Sequence, residues 1–158
     1  MESIYIETTI PSLYVSRPSK RLVEVARQQL TRIWWDDHRH EFDLVCSQTV
    51  LDECSRGEPA MAQARLRLLG ALPLLDLDNL VLEVAEDILN RGIIPAKAAD
   101  DAIHIAVASV HRIDYLLTWN CTHIANPRNW HRISNCLQAH GLRPSVICTP
   151  EDLIGDDN

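Results

Sequence analysis

The stretch AADDAIHIAVASVHRIDYLLTWN, residues 98–120, joins a strongly patterned helix to a short apolar strand. Apolar residues recur at helical spacing and predict a helix over 98–111, and this stripe consists of Ala102, Ile103, Ala106, Val107 and Val110. The apolar run at 115–118 is too short for a helix and predicts a strand. A helix that leads directly into a buried strand is the repeating unit of an α/β protein.

The same alternation continues on both sides of this stretch. Further strands are predicted at 3–6, 42–46, 74–77 and 145–148. Further helices are predicted at 20–38, 47–54, 58–69, 78–91 and 126–140, with Ser47 and Asp78 as N-caps and a turn at Thr149-Pro150. Strands that alternate with helices predict an α/β fold, a three-layer α/β/α sandwich with a mostly parallel central sheet.

Length and composition indicate one ordinary domain. The chain has 158 residues, of which 46% are hydrophobic, and this is enough for a packed core. We expect the domain to cover 1–154, followed by a polar tail at 155–158. The start, MESIYIETT, has no basic region before an apolar run, and no apolar run approaches the length of a membrane span. A cytoplasmic protein without a membrane partner is therefore expected.

The cysteine pattern also suits a cytoplasmic protein. They are Cys46, Cys54, Cys121, Cys136 and Cys148, an odd number without a CxxC pair. This pattern argues against a disulfide framework and against a zinc knuckle. We expect reduced thiols, most of them buried as small apolar residues.

The formal net charge of −7 argues against a protein that holds nucleic acid by a general basic surface. It does not argue against a nuclease whose acidic site is filled by metal ions. Such an enzyme needs only local basic groups to guide the strand.

Polar residues that suit a metal follow the predicted strands. Glu7 follows the first strand, Glu53 lies one helical turn beyond the second, and Asn120 follows the strand at 115–118. Asp101 lies near the start of the helix that leads into that strand. Ligands of α/β sheets bind beyond the carboxyl ends of the strands, and Mg²⁺ and Mn²⁺ prefer oxygen ligands. We expect these four residues to converge.

Four segments resemble, in order, the motifs of the PIN-domain family, which includes the VapC-like toxin ribonucleases. These segments are IYIETTIPSLY at 4–14, VLDECSRG at 50–57, AADDAIHIAVA at 98–108 and LLTWNCTHIAN at 116–126. The resemblance covers nearly the whole chain. It places the family's site positions at Glu7, Glu53, Asp101 and Asn120.

The resemblance implies a metal-dependent endoribonuclease, the toxin of a type II toxin–antitoxin pair or a solitary relative. Asp101 and Glu7 would hold Mg²⁺ or Mn²⁺ directly. Glu53 would act through water or as a general base, and Asn120 would bind the metal or its water. The implied partners are an RNA substrate, an antitoxin protein that covers the site, and a second copy in a homodimer.

Two positions depart from the family pattern. Glu7 stands where Asp is usual, and the neutral Asn120 stands where many relatives have an acid. The four residues therefore carry at most three negative charges, which predicts weaker metal affinity and one tightly held ion. The alternative is a catalytically weak or inactive PIN-fold module that binds RNA or protein.

Several neighbours compete for these roles. Asp52 adjoins Glu53, and Asp100 adjoins Asp101, where either acid could simply stabilise the start of a helix. Asn120 could merely form a turn. His104 and His123 are interpreted as packed or hydrogen-bonded residues, and a local contact with Asp100 is expected for His104.

Basic and aromatic residues near the site offer substrate contacts. Arg56 and Lys97 are the candidates for phosphate binding, and solvated surface charges are the alternative. The cluster Arg17, Lys20 and Arg21 could serve the same purpose. Trp119 could stack on a base or pack in the core. Trp34 and Trp35 are expected in the core or at a dimer surface.

Overall fold

The structure, a computed structural model, describes residues 1–155 of the chain. Its central sheet has five strands. The strands are β1 (Ser3–Ile6), β2 (Asp43–Ser47), β3 (Leu74–Leu75), β4 (Tyr115–Leu117) and β5 (Val146–Cys148). They lie in the order β3-β2-β1-β4-β5, and every neighbouring pair is parallel. The predicted parallel sheet is confirmed. The end of the predicted tail, 156–158, lies outside the described residues.

The central strand β1 defines where ligands can bind. Ile4, Tyr5 and Ile6 are fully buried, as expected for a strand covered on both faces. Tyr5 pairs with Val45 of β2 on one side and with Leu116 of β4 on the other. From β1 the chain adds β2 and β3 on one side of the sheet, and it then returns to add β4 and β5 on the other side. Such a switch point, here between β1 and β4, opens a crevice at the carboxyl ends of the strands. Glu7 and Asn120 follow those two ends.

Helices flank the sheet. They are α1 (Thr9–Val15), α2 (Leu22–Ile33), α3 (Gln48–Cys54), α4 (Pro59–Leu69), α5 (Asn79–Asn90), α6 (Ala99–Val110), α7 (Pro127–Ala139) and α8 (Pro150–Ile154). One group packs α5 against α6 and α7, and another packs α2 against α1 and α8. The predicted α/β/α class is therefore confirmed. Within the described part of the chain, no helix has the length and apolar content to cross a membrane.

Two helices were not predicted, and both contain a proline near their start. Pro11 lies in the first turn of α1, and Pro150 is the first residue of α8. Proline is tolerated there because the first backbone N–H groups of a helix have no intrahelical acceptor. Thr149 and Asp152 form a capping box that starts α8 where a simple turn was expected.

The long helix predicted at 20–38 is shorter and changes type. Regular α-helix ends at Ile33, and a π-helical turn (Trp34–His38) and a 3-10 turn (Arg39–Glu41) follow. Trp34 and Trp35 are buried, which places both in the core. The wider π-helical turn lets these two adjacent indoles pack inward together.

The two predicted N-caps behave differently. The Asp78 side chain accepts a hydrogen bond from the Val81 N–H at 3.0 Å, as predicted. Ser47 occupies the N-cap position of α3, but its hydroxyl makes no capping bond. It lies 2.7 Å from the Tyr5 hydroxyl instead, so the predicted N-cap position of Ser47 is confirmed, although its side chain forms no cap. That hydroxyl belongs to the network at the switch point.

All five cysteines are free thiols, as predicted. Cys46, Cys54, Cys136 and Cys148 are buried, whereas Cys121 is exposed. Burial raises the pKa of the Cys54 and Cys148 thiols to about 12. These two thiols therefore stay protonated and behave as small apolar residues.

Candidate functional site at the switch point

Glu7 leaves the end of β1 as a buried carboxylate, with 2% of its surface exposed. Its Oε1 accepts hydrogen bonds from the Thr9 hydroxyl at 2.5 Å, the Thr9 N–H at 3.2 Å and the Thr118 hydroxyl at 2.5 Å. Burial raises the pKa of Glu7, and the nearby His104 and these hydrogen bonds offset only part of that rise. The site thus contains a carboxylate that a cation would stabilise.

Glu53 is held by His104. The fully buried His104 on α6 places Nε2 2.5 Å from Glu53 Oε1, and Thr8 donates to the same oxygen at 2.7 Å. An ionised carboxylate only accepts, so Nε2 carries a hydrogen. Burial alone would raise the pKa of Glu53, but the hydrogen bond and charge of His104 lower it overall. Burial alone would lower the pKa of His104, but Glu53 and Glu7 raise it overall.

The other nitrogen of His104 continues the network into the sheet. Nδ1 lies 2.7 Å from the Tyr5 hydroxyl, which lies 2.7 Å from Ser47 Oγ. The imidazole is therefore fixed from both sides. The predicted local contact of His104 with Asp100 was wrong, because Asp100 pairs instead with Arg56 at 3.5 Å.

Asp101 and Asn120 meet through one residue, His123. Nδ1 of His123 lies 2.8 Å from Asp101 Oδ2, and the backbone N–H of His123 donates to Asn120 Oδ1 at 3.1 Å. The start of α6 and the turn after β4 are thereby joined. Asn120 does form a turn, and its amide oxygen organises that turn at the edge of the site.

Thr118 connects the two halves of the site. Its fully buried hydroxyl donates to Glu7 Oε1 at 2.5 Å and accepts from the Asn120 N–H at 2.9 Å. One side chain thus sets the position of Glu7 relative to the Asn120 turn. The sequence interpretation did not single out this residue.

The fold resembles that of a chain in the crystal structure of VapBC2 from Rickettsia felis bound to a DNA fragment from their promoter. The TM-score is 0.53 and the sequence identity is 13%, over 93% of this chain and 98% of that chain. At this identity the likeness shows the fold alone. No family model and no curated protein matches the sequence.

The donor set fits a hard divalent cation. Potential ligand atoms of Glu7, Glu53 and His104 lie within 4.8 Å of one another. Hydrogen bonds from within the described chain reach only Oε1 of Glu7, Oε1 of Glu53 and Oδ2 of Asp101. The second oxygen of each carboxylate is left for a cation or its water. Oxygen donors of this kind suit Mg²⁺ and Mn²⁺.

The competing acids lie outside this network. Asp52 is exposed and accepts from Gln48 at 2.9 Å, whereas Glu53 contacts Thr8 and His104. Asp100 forms the surface pair with Arg56, whereas the adjacent Asp101 faces His123. The geometry therefore separates each predicted acid from its neighbour.

The two predicted phosphate contacts are exposed near the acids. Arg56 lies just beyond α3, the helix of Glu53, and its only ion pair within residues 1–155 is the one with Asp100. Lys97 is exposed in a 3-10 turn (Ala96–Ala98) immediately before α6, the helix of Asp101. Both side chains are accessible to a ligand.

Sequence interpretation set aside two histidines that the structure joins to the acids. His104 follows Asp101 by three residues, and residues at that spacing share a face of a helix. This spacing was the available signal that His104 and Asp101 face the same side. The pairing of His123 with Asp101 depends on the loop after β4 and had no comparable signal.

A second group of potential ligands lies between α5 and α7. Asp87 Oδ2 is 2.8 Å from His140 Nε2 and 3.5 Å from Cys136 Sγ, and Asp87 Oδ1 is 3.1 Å from Arg91 Nε. The guanidinium of Arg91 already neutralises this carboxylate. We interpret the group as an interhelical hydrogen-bond network.

Proposed function

We propose that this chain is a single PIN-like domain, covering 1–154, that acts as a metal-dependent endoribonuclease. It would hydrolyse RNA phosphodiester bonds with Mg²⁺ or Mn²⁺. The observation that supports this most is the cluster of Glu7, Glu53 and His104 at the switch point, whose potential ligand atoms lie within 4.8 Å of one another. Asp101 precedes His104 by three residues on the same helix and has one oxygen outside the internal hydrogen bonds. The motif resemblance and the likeness of fold support the same family.

Each residue has a role that its contacts suit. A bound cation would polarise a phosphate oxygen and lower the pKa of a water nucleophile. Glu7 and Asp101 would hold that cation, and Asn120 would position its water shell. Glu53 would orient the attacking water as a general base, held in place by His104. Arg56 and Lys97 would bind the phosphates that flank the cleaved bond.

Cellular partners follow from the same proposal. A toxin of a type II toxin–antitoxin pair would be cytoplasmic, dimeric and covered by an antitoxin protein. The motif resemblance and the fold similarity to a chain of a VapBC2 structure support this context. A solitary nuclease without an antitoxin fits the same site.

One observation favours a second candidate, a PIN-fold binding module without catalysis. Three hydrogen bonds already stabilise Oε1 of Glu7, and His104 already stabilises Glu53. The two carboxylates therefore have hydrogen-bond partners within the protein, and their arrangement does not require a metal. Such a module would bind RNA or protein at the same crevice.

An RNA cleavage assay separates the two candidates. Wild type is compared with Asp101→Asn, and Asp52→Asn serves as the control because Asp52 is an exposed acid on α3 that bonds to Gln48 outside the network. The nuclease proposal predicts Mn²⁺-dependent cleavage that falls by roughly two orders of magnitude or more in Asp101→Asn and is nearly unchanged in Asp52→Asn. RNA binding without cleavage by the wild type, under every metal tested, would support the binding module instead.

A further inference from the structure

A cleft of about 470 Å³ lies beside the carboxylates, between α2 and the turn after β4. Its lining includes Thr9, Leu13, Arg21, Val23, Arg27 and Trp119. The volume lies within the range of sites that hold one small organic ligand. It is much larger than a simple ion requires.

Thr9 joins this cleft to the candidate metal site. Its hydroxyl donates to Glu7 Oε1 at 2.5 Å and accepts from the backbone N–H of Trp119 at 2.8 Å. The Thr9 side chain therefore both lines the cleft and holds the carboxylate of Glu7. A ligand in the cleft would lie next to the metal site.

An arginine is stacked on the indole in this cleft. Arg27 Cζ lies 5.2 Å from the centre of the Trp119 ring. The indole is fixed because its Nε1–H donates to Thr31 Oγ1 at 2.7 Å. Arg27 also contacts Cys121 in the turn after Asn120, at 3.8 Å. A planar guanidinium held in this way can stack a nucleobase on its free side.

The charge of the cleft differs from that of the whole chain. The chain carries a net charge of −7, but the charged lining residues are Arg21, Arg27 and Glu24. Leu13 and Val23 add apolar surface. Two arginines beside apolar walls suit a ligand that has both an anionic group and a flat, weakly polar ring.

We propose that this cleft holds one nucleotide of single-stranded RNA, next to the bond that the carboxylates address. The base stacks on Arg27, which is supported from below by Trp119, and its phosphate is bound by Arg21. The RNA class of this ligand rests on the proposed function. The stack, the charges and the shared Thr9 are independent of any catalysis.

The test measures binding without hydrolysis. Fluorescence anisotropy follows a labelled 2′-O-methyl adenosine hexamer, in EDTA, and a hexamer of the same backbone that lacks all bases. The proteins are wild type, Arg27→Ala, Arg27→Lys and Arg21→Ala. Arg128→Ala is the control, because Arg128 is an exposed arginine on α7 outside the cleft. Thermal unfolding checks that each variant is folded.

We expect Arg27→Ala to weaken binding of the adenosine hexamer by about tenfold, in the range found for one lost base stack. Arg27→Lys keeps the charge but loses the planar face, so it should recover only part of the affinity. Arg21→Ala should weaken both hexamers equally. Removal of the bases should cost wild type about tenfold more than it costs Arg27→Ala.

Equal effects of Arg27→Ala and Arg128→Ala, or an equal cost of base removal in wild type and Arg27→Ala, would overturn the nucleotide assignment. A cleft that instead takes an apolar protein segment would give that result. The outcome is separable from the nuclease proposal. Base-dependent binding through Arg27 without cleavage contradicts catalysis alone, and Asp101-dependent cleavage without a role for Arg27 contradicts the cleft alone.

Discussion

His104 and Glu53 come from two helices distant in sequence and meet at 2.5 Å, with His104 fully buried and Glu53 at the edge of the crevice. The opposite nitrogen of the ring contacts Tyr5 in the central strand. One imidazole thus fixes α3 and α6 against β1. The carboxylate proposed as the general base is thus oriented by a buried histidine.

Replacement of His104 by Ala should be strongly destabilising. It leaves Tyr5 and Glu53 without their partner and opens a cavity, so we expect a loss of about 2–4 kcal/mol in the free energy of unfolding. His131→Ala, at an exposed position of α7, should cost less than about 1 kcal/mol. Urea unfolding of both variants checks this, and equal losses would contradict a special role of the His104 network.

Thr118 should couple stability to metal affinity. Thr118→Val keeps the shape but removes the donor to Glu7 and the acceptor for the Asn120 N–H, so we expect a loss of about 1–3 kcal/mol and weaker Mn²⁺ binding. Thr118→Ser keeps the hydroxyl and should bind Mn²⁺ nearly as wild type does. Calorimetric titration compares the two. Unchanged Mn²⁺ affinity in Thr118→Val would contradict the role of Thr118 in positioning Glu7 for the metal.

Metal binding should stabilise the folded protein. Because a ligand that binds only the native state raises its stability, Mn²⁺ at about one hundred times its Kd should add about 2.7 kcal/mol and raise Tm. Asp101→Asn should lose most of this increase, since Asp101 is a proposed metal ligand. Asp52→Asn removes an exposed acid on α3 outside the network and should retain it. A Tm that Mn²⁺ raises equally in both variants would count against Asp101 as a ligand.

The interhelical network at Asp87 predicts a pH dependence unrelated to the candidate site. Arg91, just after α5, donates to Asp87, and so do His140 and Cys136 at the C-terminal end of α7. Together they lower the pKa of Asp87. A lowered folded-state pKa stabilises the protein above the unfolded-state value, about 3.9 for Asp, and that stabilisation is lost as pH falls through the folded-state value. The Tm difference between wild type and Asp87→Asn should therefore shrink below about pH 4.

Glu86→Gln is the matched control for this titration, since Glu86 is the exposed neighbour on the same helix. Its Tm difference from wild type should be small throughout. A gap between wild type and Asp87→Asn that stays constant from pH 7 to pH 3 would rule out an ionised Asp87 as the stabilising group.

Most helices and strands could be predicted from the sequence, because they depend on residue patterns that are local in the chain. Apolar spacing located α6 and β4, and Asp78 marked the start of α5. Pro11 and Pro150 misled the interpretation, since a proline at a helix start looks like a break when its backbone context is unknown. The π-helical turn at Trp34 depends on the packing of two indoles in the core, which no local pattern encodes.

The candidate site could be predicted in part from the sequence. The strand-end rule brought Glu7 and Asn120 to one edge, because parallel strands share their carboxyl ends. The contacts of His104 could not be predicted in the same way. They depend on how α6 is rotated against β1 and β2, and its partner Tyr5 lies 99 residues away in the chain. Long-range hydrogen bonds of this kind are set by packing, and helical periodicity alone does not specify them.

The most direct test of the metal site is the anomalous difference map of a crystal soaked in Mn²⁺. We expect one peak in the crevice beyond β1 and β4, within coordination distance of the carboxylates of Glu7 and Asp101, with Glu53 bound directly or through water. The absence of a peak there would contradict the central claim. A peak confined to Asp87, Cys136 and His140 would contradict it as well.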